Sequence, residues 1–273
     1  MPKTKSGKKT TSPGSVGSVG SVGSVGSVGP AAGPADDASL RGVTLDFLLE
    51  FAWTHDAWEM PTRDVVKLLI APATANAAAP GQPYTALLPP SALGLPTHFI
   101  SHAWGNPFGL LVAAARKFLS AARDQKPFLW LDIFAVTQHP GEHQAHDLTR
   151  LEATIARPEC TTLVVLDEAG GPLSRCWCIF EFFATLLHAE RHGKLQVRAG
   201  SLAPGGAGEF IPCTDPGRLA ALAEGVNALD AVASVPADKA MILGRLHELG
   251  IVGSRTGVHE LNRKLARAVR HGW

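Results

Sequence analysis

The chain has 273 residues, of which 45% are hydrophobic and 18% are charged, so it can form a hydrophobic core and is not disordered throughout. The formal net charge of +1 excludes a global field that would attract nucleic acid or an acidic membrane. No apolar run reaches the roughly 20 residues of a membrane span, and we expect neither a membrane nor a nucleic-acid partner. Four cysteines are too few for a disulfide framework, so we expect reduced thiols and a cytoplasmic protein.

Residues 1–40 form a low-complexity segment. It begins with four lysines and continues with repeated Gly-Ser-Val triplets over residues 14–28. Such a composition does not bury enough apolar surface to offset the entropy lost on ordering. We interpret the segment as a disordered basic tail. An organelle transit peptide is the alternative, and it is disfavoured because arginine and an amphipathic pattern are missing.

Residues 41–273 are predicted to form one α/β domain. Two short helices come first, at 45–53 and 62–70. Four apolar strands then alternate with helices: strands at 97–101, 127–133, 161–166 and 194–197, and helices at 110–122, 147–156 and 174–187. Strands that are apolar throughout indicate a parallel sheet with helices on both faces. We predict a doubly wound, flavodoxin-like sheet of about four to five strands, followed by a helical C-terminal extension at 218–227, 238–249 and 259–269.

The carboxyl ends of the first and third strands are the expected place for a ligand. In a flavodoxin-like order these two strands flank the point at which the chain connection changes direction, and ligands bind in the crevice there. The loop 102–106 would then face the helix that follows Asp167. In that helix Trp177 and Glu181 are four residues apart and therefore share one face. The pattern predicts an aromatic ring beside a carboxylate in the crevice.

Four segments carry recognisable motifs: Phe-Ile-Ser-His at 99–102 with Trp104, Leu-Trp-Leu-Asp at 129–132, the strand 163–166, and residues 174–181 with a Trp-Cys-x-x-Glu sequence. They resemble Toll/interleukin-receptor (TIR) domains. The first three are similar to the first strand and its loop, the second strand and the third strand of that family, and the fourth is similar to its helix with the Trp-Cys-x-x-Glu sequence. The similarity covers a core of about 97–200. Larger algal TIR-like proteins look similar over the flanking helices as well.

The resemblance implies an activity. In enzymatic TIR domains the glutamate that matches Glu181 is the catalytic residue of an NAD glycohydrolase, and the aromatic residue that matches Trp177 lies beside the nicotinamide. NAD is then a substrate, and no cofactor is implied. The remaining residues expected to bind it are Ser101, His102, Trp104, Asn106 and Asp132. Subunits would associate to complete the crevice, and the loop from Asp132 to His143 would close over it.

A second function is also compatible with the resemblance. Many TIR domains act only as interaction modules that signal by homotypic assembly. Under this hypothesis Glu181 has a structural role, and Trp177 packs in the core. Membership of a fold family does not decide between the two functions.

The histidine-rich loop offers a metal site as a further hypothesis. His139, His143 and His146, with Glu142 and Asp147, have spacings that suit a zinc ion. Loop histidines without a cysteine partner are usually solvated, so no metal is expected here.

Two other chemistries are weaker hypotheses. Cys176 or Cys178 with His102 would make a thiol nucleophile, but nothing in the sequence supplies a third, orienting group. Asp132 and Asp167, each at a strand end, would suit magnesium, but the apolar context and the missing lysine partner disfavour it.

Overall fold

A seven-stranded sheet forms the centre of the molecule. The computed structural model describes residues 40–75, 82–119, 126–139, 144–188, 194–205, 208–250 and 255–271. The strands within these ranges are, in chain order, β1 (Gly42–Thr44), β2 (Leu93–Gly94), β3 (His98–Ser101), β4 (Phe128–Trp130), β5 (Thr161–Leu166), β6 (Leu195–Leu202) and β7 (Phe210–Pro212).

Helices cover both sides of this sheet. A π-helical turn at Val66–Ile70 joins the second helix to the third. The α-helices of the described ranges are α1 (Leu45–Thr54), α2 (Thr62–Val65), α3 (Ala71–Ala75), α4 (Phe108–Leu119), α5 (Asp132–Ala135), α6 (Gln144–Ile155), α7 (Cys176–His188), α8 (Pro216–Glu224), α9 (Pro236–Glu248) and α10 (Arg255–His271).

The strand order is β2-β1-β4-β3-β5-β6-β7. The inner strands β4, β3, β5 and β6 run parallel to one another, whereas β1, β2 and β7 add antiparallel pairs at the two edges. Along the sheet the parallel strands are therefore the second, first, third and fourth in chain order. The connection changes direction between β3 and β5, where Ser101 is paired with Val164. A crevice is expected at this point.

Alternate residues of each strand point to opposite faces, and each face has its own hydrophobic core. On the side of Ile100 and Leu163, which we call the aromatic face, the sheet packs against α1 and α4. On the side of Phe99 and Trp130, which we call the pocket face, it packs against α6, α7 and the C-terminal helices. The rings of Phe99 and Trp130 stack with their centroids 4.9 Å apart. The buried apolar residues on both sides of the strands explain their uninterrupted hydrophobic sequences.

The prediction of a mixed α/β domain with a mostly parallel sheet is confirmed, but the predicted number of strands is too low. The additional strands β1, β2 and β7 contain only two or three residues each. Such short strands carry no alternating hydrophobic pattern, since that pattern needs about four residues to be recognised. They are held by pairing with longer neighbours, as in Val43 opposite Leu129.

The second parallel strand is shorter than the predicted 127–133. It ends at Trp130, and Asp132 begins the single turn of α5. The side chain of Asp132 accepts a hydrogen bond from the backbone N–H of Ile133 at 2.7 Å. This bond satisfies a donor at the start of the helical turn, which favours a turn at a position where the apolar sequence alone predicts strand.

The C-terminal helices α8, α9 and α10 lie where the sequence predicts them, and their apolar residues join the core of the pocket face. Gly250, a predicted helix stop, has a φ of 73° directly after α9, a backbone conformation that glycine adopts without strain. The other predicted stop, Gly253, and the predicted tail up to residue 39 lie outside the described residues. Of the described helices, none has the length and apolar character required to cross a bilayer.

Candidate active site

A pocket of about 290 Å³ lies at the carboxyl ends of β3 and β4, against the first turns of α7. Its lining comes from five parts of the chain: the segments that follow β3 and β4 with the end of β4, the segment after α5, helix α6, helix α7 with the residue before it, and the start of α9 with the connector before it. The residues are His102, Ala103, Trp104, Trp130, Asp132, Val136, Gln138, Leu151, Arg175, Trp177, Cys178, Glu181, Ser234, Val235 and Asp238.

Glu181 is the most unusual group in this lining. It lies on the inner side of α7, and only 6% of its surface is exposed. Its Oε2 atom has no hydrogen-bond partner among the described residues. Burial raises the pKa of Glu181 well above its usual value, and the negative charge of Asp132 raises it further. A carboxyl with a raised pKa in a pocket is typical of functional sites, where a ligand supplies what the protein does not.

Ser101 and His102 bring two more unpartnered polar atoms to the end of β3. Ser101 is fully buried, and its hydroxyl lies close enough to lower the pKa of Glu181. The two groups do not reach hydrogen-bond geometry, so Ser101 Oγ stays without a partner among the described residues, as does His102 Nε2. Burial lowers the pKa of His102, and this outweighs Asp132 and a backbone hydrogen bond with Ile100, both of which raise it. Burial therefore favours the neutral imidazole.

Asp132 is held in place from two directions. Trp104 Nε1 donates to Asp132 Oδ2 at 2.8 Å, and the backbone N–H of Ile133 donates to Oδ1. Gln138 Nε2 donates to the backbone carbonyls of Asp132 and Val136, which folds the segment after α5 back onto the pocket. The second carboxylate of the site is thus oriented before any ligand binds.

The C-terminal extension supplies the opposite wall. Trp177 Nε1 donates to Asp238 Oδ2 at 2.9 Å, and Arg175 Nη2 donates to Ser234 Oγ at 2.6 Å. The backbone of Val232 is hydrogen-bonded on both sides of Arg175, to Ser174 and to Cys176. These bonds attach the connector between α8 and α9 to the first turn of α7.

The structure brings most of the predicted site residues together. Of the seven, five line the pocket: His102, Trp104, Asp132, Trp177 and Glu181. Ser101 lies just behind them, beside Glu181. Asn106 does not line the pocket. Its backbone carbonyl accepts hydrogen bonds from the N–H and the hydroxyl of Thr62, so it anchors the loop to α2.

Several lining residues were not predicted. Arg175 lies in the segment 174–181, and its positive charge next to the Trp-Cys-x-x-Glu sequence is the sequence signal that could have indicated its place in the site. Ser234 and Asp238 lie more than 50 residues further along the chain, and no local sequence pattern connects them to the site. The predicted closing loop contributes Val136 and Gln138, whereas residues 140–143 lie outside the described ranges.

The alternative chemistries find less support in the geometry. Burial raises the pKa of both Cys176 and Cys178, which disfavours a thiolate at either position. Asp167 does not line the pocket, and its Oδ1 accepts a hydrogen bond from the backbone N–H of Gly171 at 2.6 Å. His139 is hydrogen-bonded to the hydroxyl of Thr74. Within the described part of the chain, no three acidic, histidine or cysteine residues form a metal-binding group.

A second, larger cavity of about 440 Å³ lies between α8 and α10. Its polar lining is mainly arginine and histidine, and two of its arginines are paired, Arg263 with Glu260 and Arg270 with Glu224. None of the predicted site residues lines this cavity. No buried side-chain atom without a partner faces it in the described ranges. The smaller pocket is therefore the better candidate for an active site.

Comparison with models of known protein families, with curated proteins and with solved structures gives no match. The functional assignment consequently depends on the geometry of the pocket and on the resemblance of the four sequence segments.

Proposed function

We propose that this chain is a TIR-like domain that hydrolyses NAD⁺ to nicotinamide and an ADP-ribose product, with Glu181 as the catalytic residue. One observation carries the proposal. The carboxyl group of Glu181 is buried in a pocket beside Trp177 and the end of β3, and one of its oxygens has no partner among the described residues.

The position of the pocket supports this proposal. The order of the four parallel strands is the one found in flavodoxin-like folds, in which ligands bind beyond the carboxyl ends of the strands. Ser101 and His102 lie at such an end, and Glu181 reaches the same place from α7. A TIR-like domain with a nucleotide site would have its ligand here.

The chemistry requires few protein groups. Cleavage breaks the bond between C1′ of the ribose and the ring nitrogen, whose positive charge is cancelled by the departing electron pair, so nicotinamide leaves neutral. Positive charge develops on the ribose, and the carboxylate of Glu181 stabilises it electrostatically. Water then bonds to C1′ and releases one proton. The indoles of Trp104 and Trp177 provide apolar surfaces for a flat cationic ring.

The raised pKa of Glu181 is compatible with this role. In the empty pocket burial favours the protonated carboxyl, but a cationic ring nearby favours the ionised form. The substrate itself thus supplies the charge that makes the carboxylate stable. Neutral nicotinamide removes that charge when it leaves, which favours product release.

The proposal is tested by measuring nicotinamide release from NAD⁺ by the wild type and by two variants, Glu181→Gln and Glu59→Gln. Glu59→Gln is the control, because it makes the same substitution at an exposed glutamate that does not line the pocket. We expect Glu59→Gln to match the wild type and Glu181→Gln to lose about 10²- to 10³-fold in rate, the usual effect of removing one electrostatic stabiliser. The assay covers a range of protein concentrations because the resemblance implies subunit association. Equal, background-level release from all three proteins at concentrations where they self-associate would contradict the proposal.

A non-enzymatic assembly module is the second candidate. The observation that favours it is a group of exposed apolar side chains on the connector beside the pocket, with Leu229, Val232 and Val235 between 43% and 52% exposed. Contact with a second copy of the chain would cover them. Under this hypothesis Val232→Ser weakens self-association measured by sedimentation, whereas no variant releases nicotinamide.

A further inference from the structure

The pocket has a cationic side as well as an acidic one. Asp132 follows the end of β4 and Glu181 reaches the same place from α7, whereas Arg175 lies where the connector between α8 and α9 meets the first turn of α7. Arg175 and Glu181 are six residues apart, which corresponds to roughly 9 Å along a helix. A ligand that fits both sides therefore carries positive charge at one end and negative charge at the other.

We propose that Arg175 and Ser234 form a phosphate-binding subsite, so that the pocket takes a ribonucleotide with a cationic heteroaromatic base and a 5′-phosphate. This inference rests on the proposed function, and it names the part of the substrate that the chain selects. A base of this kind occupies the side of Asp132 and Glu181, and its phosphate lies against the guanidinium group of Arg175. The same base on an unphosphorylated ribose lacks the second contact.

The hydrogen bonding of Arg175 supports an anion-binding role. One of its Nη atoms donates to Ser234 Oγ at 2.6 Å, and no carboxylate of the described residues lies within ion-pair distance of its guanidinium group. Other arginines of the domain are paired with acids: Arg218, Arg245, Arg263 and Arg270. An arginine in a pocket with most of its five donors uncommitted is suited to bidentate recognition of a phosphate.

The other charged groups nearby are compatible with this subsite. Asp238 is the acid on this side of the pocket, and its carboxylate accepts a hydrogen bond from the indole of Trp177. Lys239 does not line the pocket, and its Nζ donates to the backbone carbonyl of Leu229 at 3.1 Å. The side that receives the phosphate thus has one cation, Arg175, and one acid, Asp238, that is hydrogen-bonded to Trp177.

The size of the pocket agrees with a mononucleotide. Its volume of about 290 Å³ is at the lower end of the roughly 300–1,000 Å³ of small-molecule sites. A whole dinucleotide would extend beyond the lining residues, so the adenosine half contributes less to recognition. Nicotinamide mononucleotide and nicotinamide riboside, which differ only in the phosphate, are therefore the decisive pair of probes.

Binding is measured by calorimetry in the Glu181→Gln background, where the proposed hydrolysis is absent, with nicotinamide mononucleotide and nicotinamide riboside as ligands. We expect Arg175→Gln to weaken binding of the mononucleotide by about 10- to 100-fold, the usual effect of losing a charge-assisted contact, and binding of the riboside by less than about threefold. Arg175→Lys retains part of the preference. Arg218→Gln, which changes an exposed arginine on α8, serves as the matched control and leaves both affinities unchanged.

The measurement separates this inference from the proposed function. A phosphate-dependent preference that is lost in Arg175→Gln supports the subsite, even if the wild type releases no nicotinamide from NAD⁺. Absence of that release would contradict only the proposed hydrolysis. The subsite is overturned if the Glu181→Gln protein with Arg175 intact binds neither compound, or if Arg175→Gln weakens both equally. Ser234→Ala leaves the backbone pairing of Val232 in place, so it tests the subsite again if Arg175→Gln proves unstable. We expect it to weaken only the mononucleotide, by about 3- to 10-fold.

Discussion

The two faces of the sheet differ in the groups that they bury. On the aromatic face, Phe51 contacts four phenylalanine and tyrosine rings at centroid distances of 5.2–5.9 Å, among them Phe108 and Phe134 in edge-on arrangements. On the pocket face, the carboxyl of Glu181 and the hydroxyl of Ser101 are buried without partners among the described residues. Interlocking rings stabilise a fold, whereas a buried carboxyl without a partner destabilises it. Both faces contain an apolar core, and the buried carboxyl of Glu181 lies on the pocket face.

The largest expected effect tests the stabilising role of the aromatic face. Phe51→Ala removes a ring that is 4% exposed, and we expect the free energy of unfolding to fall by about 3–5 kcal/mol. Denaturant unfolding measures this change. The control is Leu68→Ala, at a side chain that is 57% exposed, and it should alter stability by less than about 0.5 kcal/mol. Similar values for the two variants would mean that the ring contacts of Phe51 contribute little to stability.

A smaller effect of opposite sign is expected on the pocket face. Folding raises the pKa of Glu181 above its unfolded value of 4.5. Below pH 4.5 the carboxyl is protonated in both states and does not oppose folding. As pH rises from 4.5 toward the folded pKa, the folded state loses stability relative to the unfolded state. Glu181→Gln removes this loss. We expect the variant to match the wild type near pH 4.5 and to become more stable by about 1–3 kcal/mol at pH 8.

Thermal unfolding of both proteins between pH 4.5 and pH 8 measures this difference. Glu59→Gln provides the matched control, with the same substitution at an exposed position and no expected change in the difference with pH. A constant difference between Glu181→Gln and the wild type across this range would show that ionisation of Glu181 does not oppose folding. The contrast between the two faces would then lose its electrostatic basis.

The smallest effect concerns the attachment of the extension to the pocket face. Arg245 on α9 donates two hydrogen bonds to Glu152 on α6, at 2.9 and 3.1 Å. Its side chain is 35% exposed, so solvent screens the pair, and Arg245→Met should cost at most about 1 kcal/mol and less at high salt. Urea unfolding at two salt concentrations checks this. A loss of several kcal/mol would show that this ion pair, rather than apolar packing, is the main attachment of α9.

The elements that the sequence predicts well are those with a strong local pattern. The strand around Val164 and the helix that presents Trp177 and Glu181 follow directly from apolar runs and from a spacing of four residues. The proximity of Glu181 to Ser101 also follows, because parallel strands end at the same edge of a sheet. The sequence therefore predicts the acidic side of the pocket.

The remaining features depend on contacts between distant segments. The antiparallel strands at the edges are too short for a periodic signal, and the hydrogen bonds of Ser234 and Asp238 join the extension to α7 across about 60 residues. Asn106 was expected in the site because it lies in the right loop. Its backbone instead bonds to Thr62, a contact that no local pattern indicates.

The edge pairing of β1 has a consequence for expression of shorter fragments. A fragment limited to residues 97–200 lacks the partner of β4 and exposes the backbone groups that Val43 and Thr44 now cover. Unpaired edges of this kind recruit strands from other molecules and promote aggregation. The same fragment also loses Ser234 and Asp238. The segment that resembles a TIR core is therefore not the smallest autonomous unit, and truncation studies should retain residues 41–271.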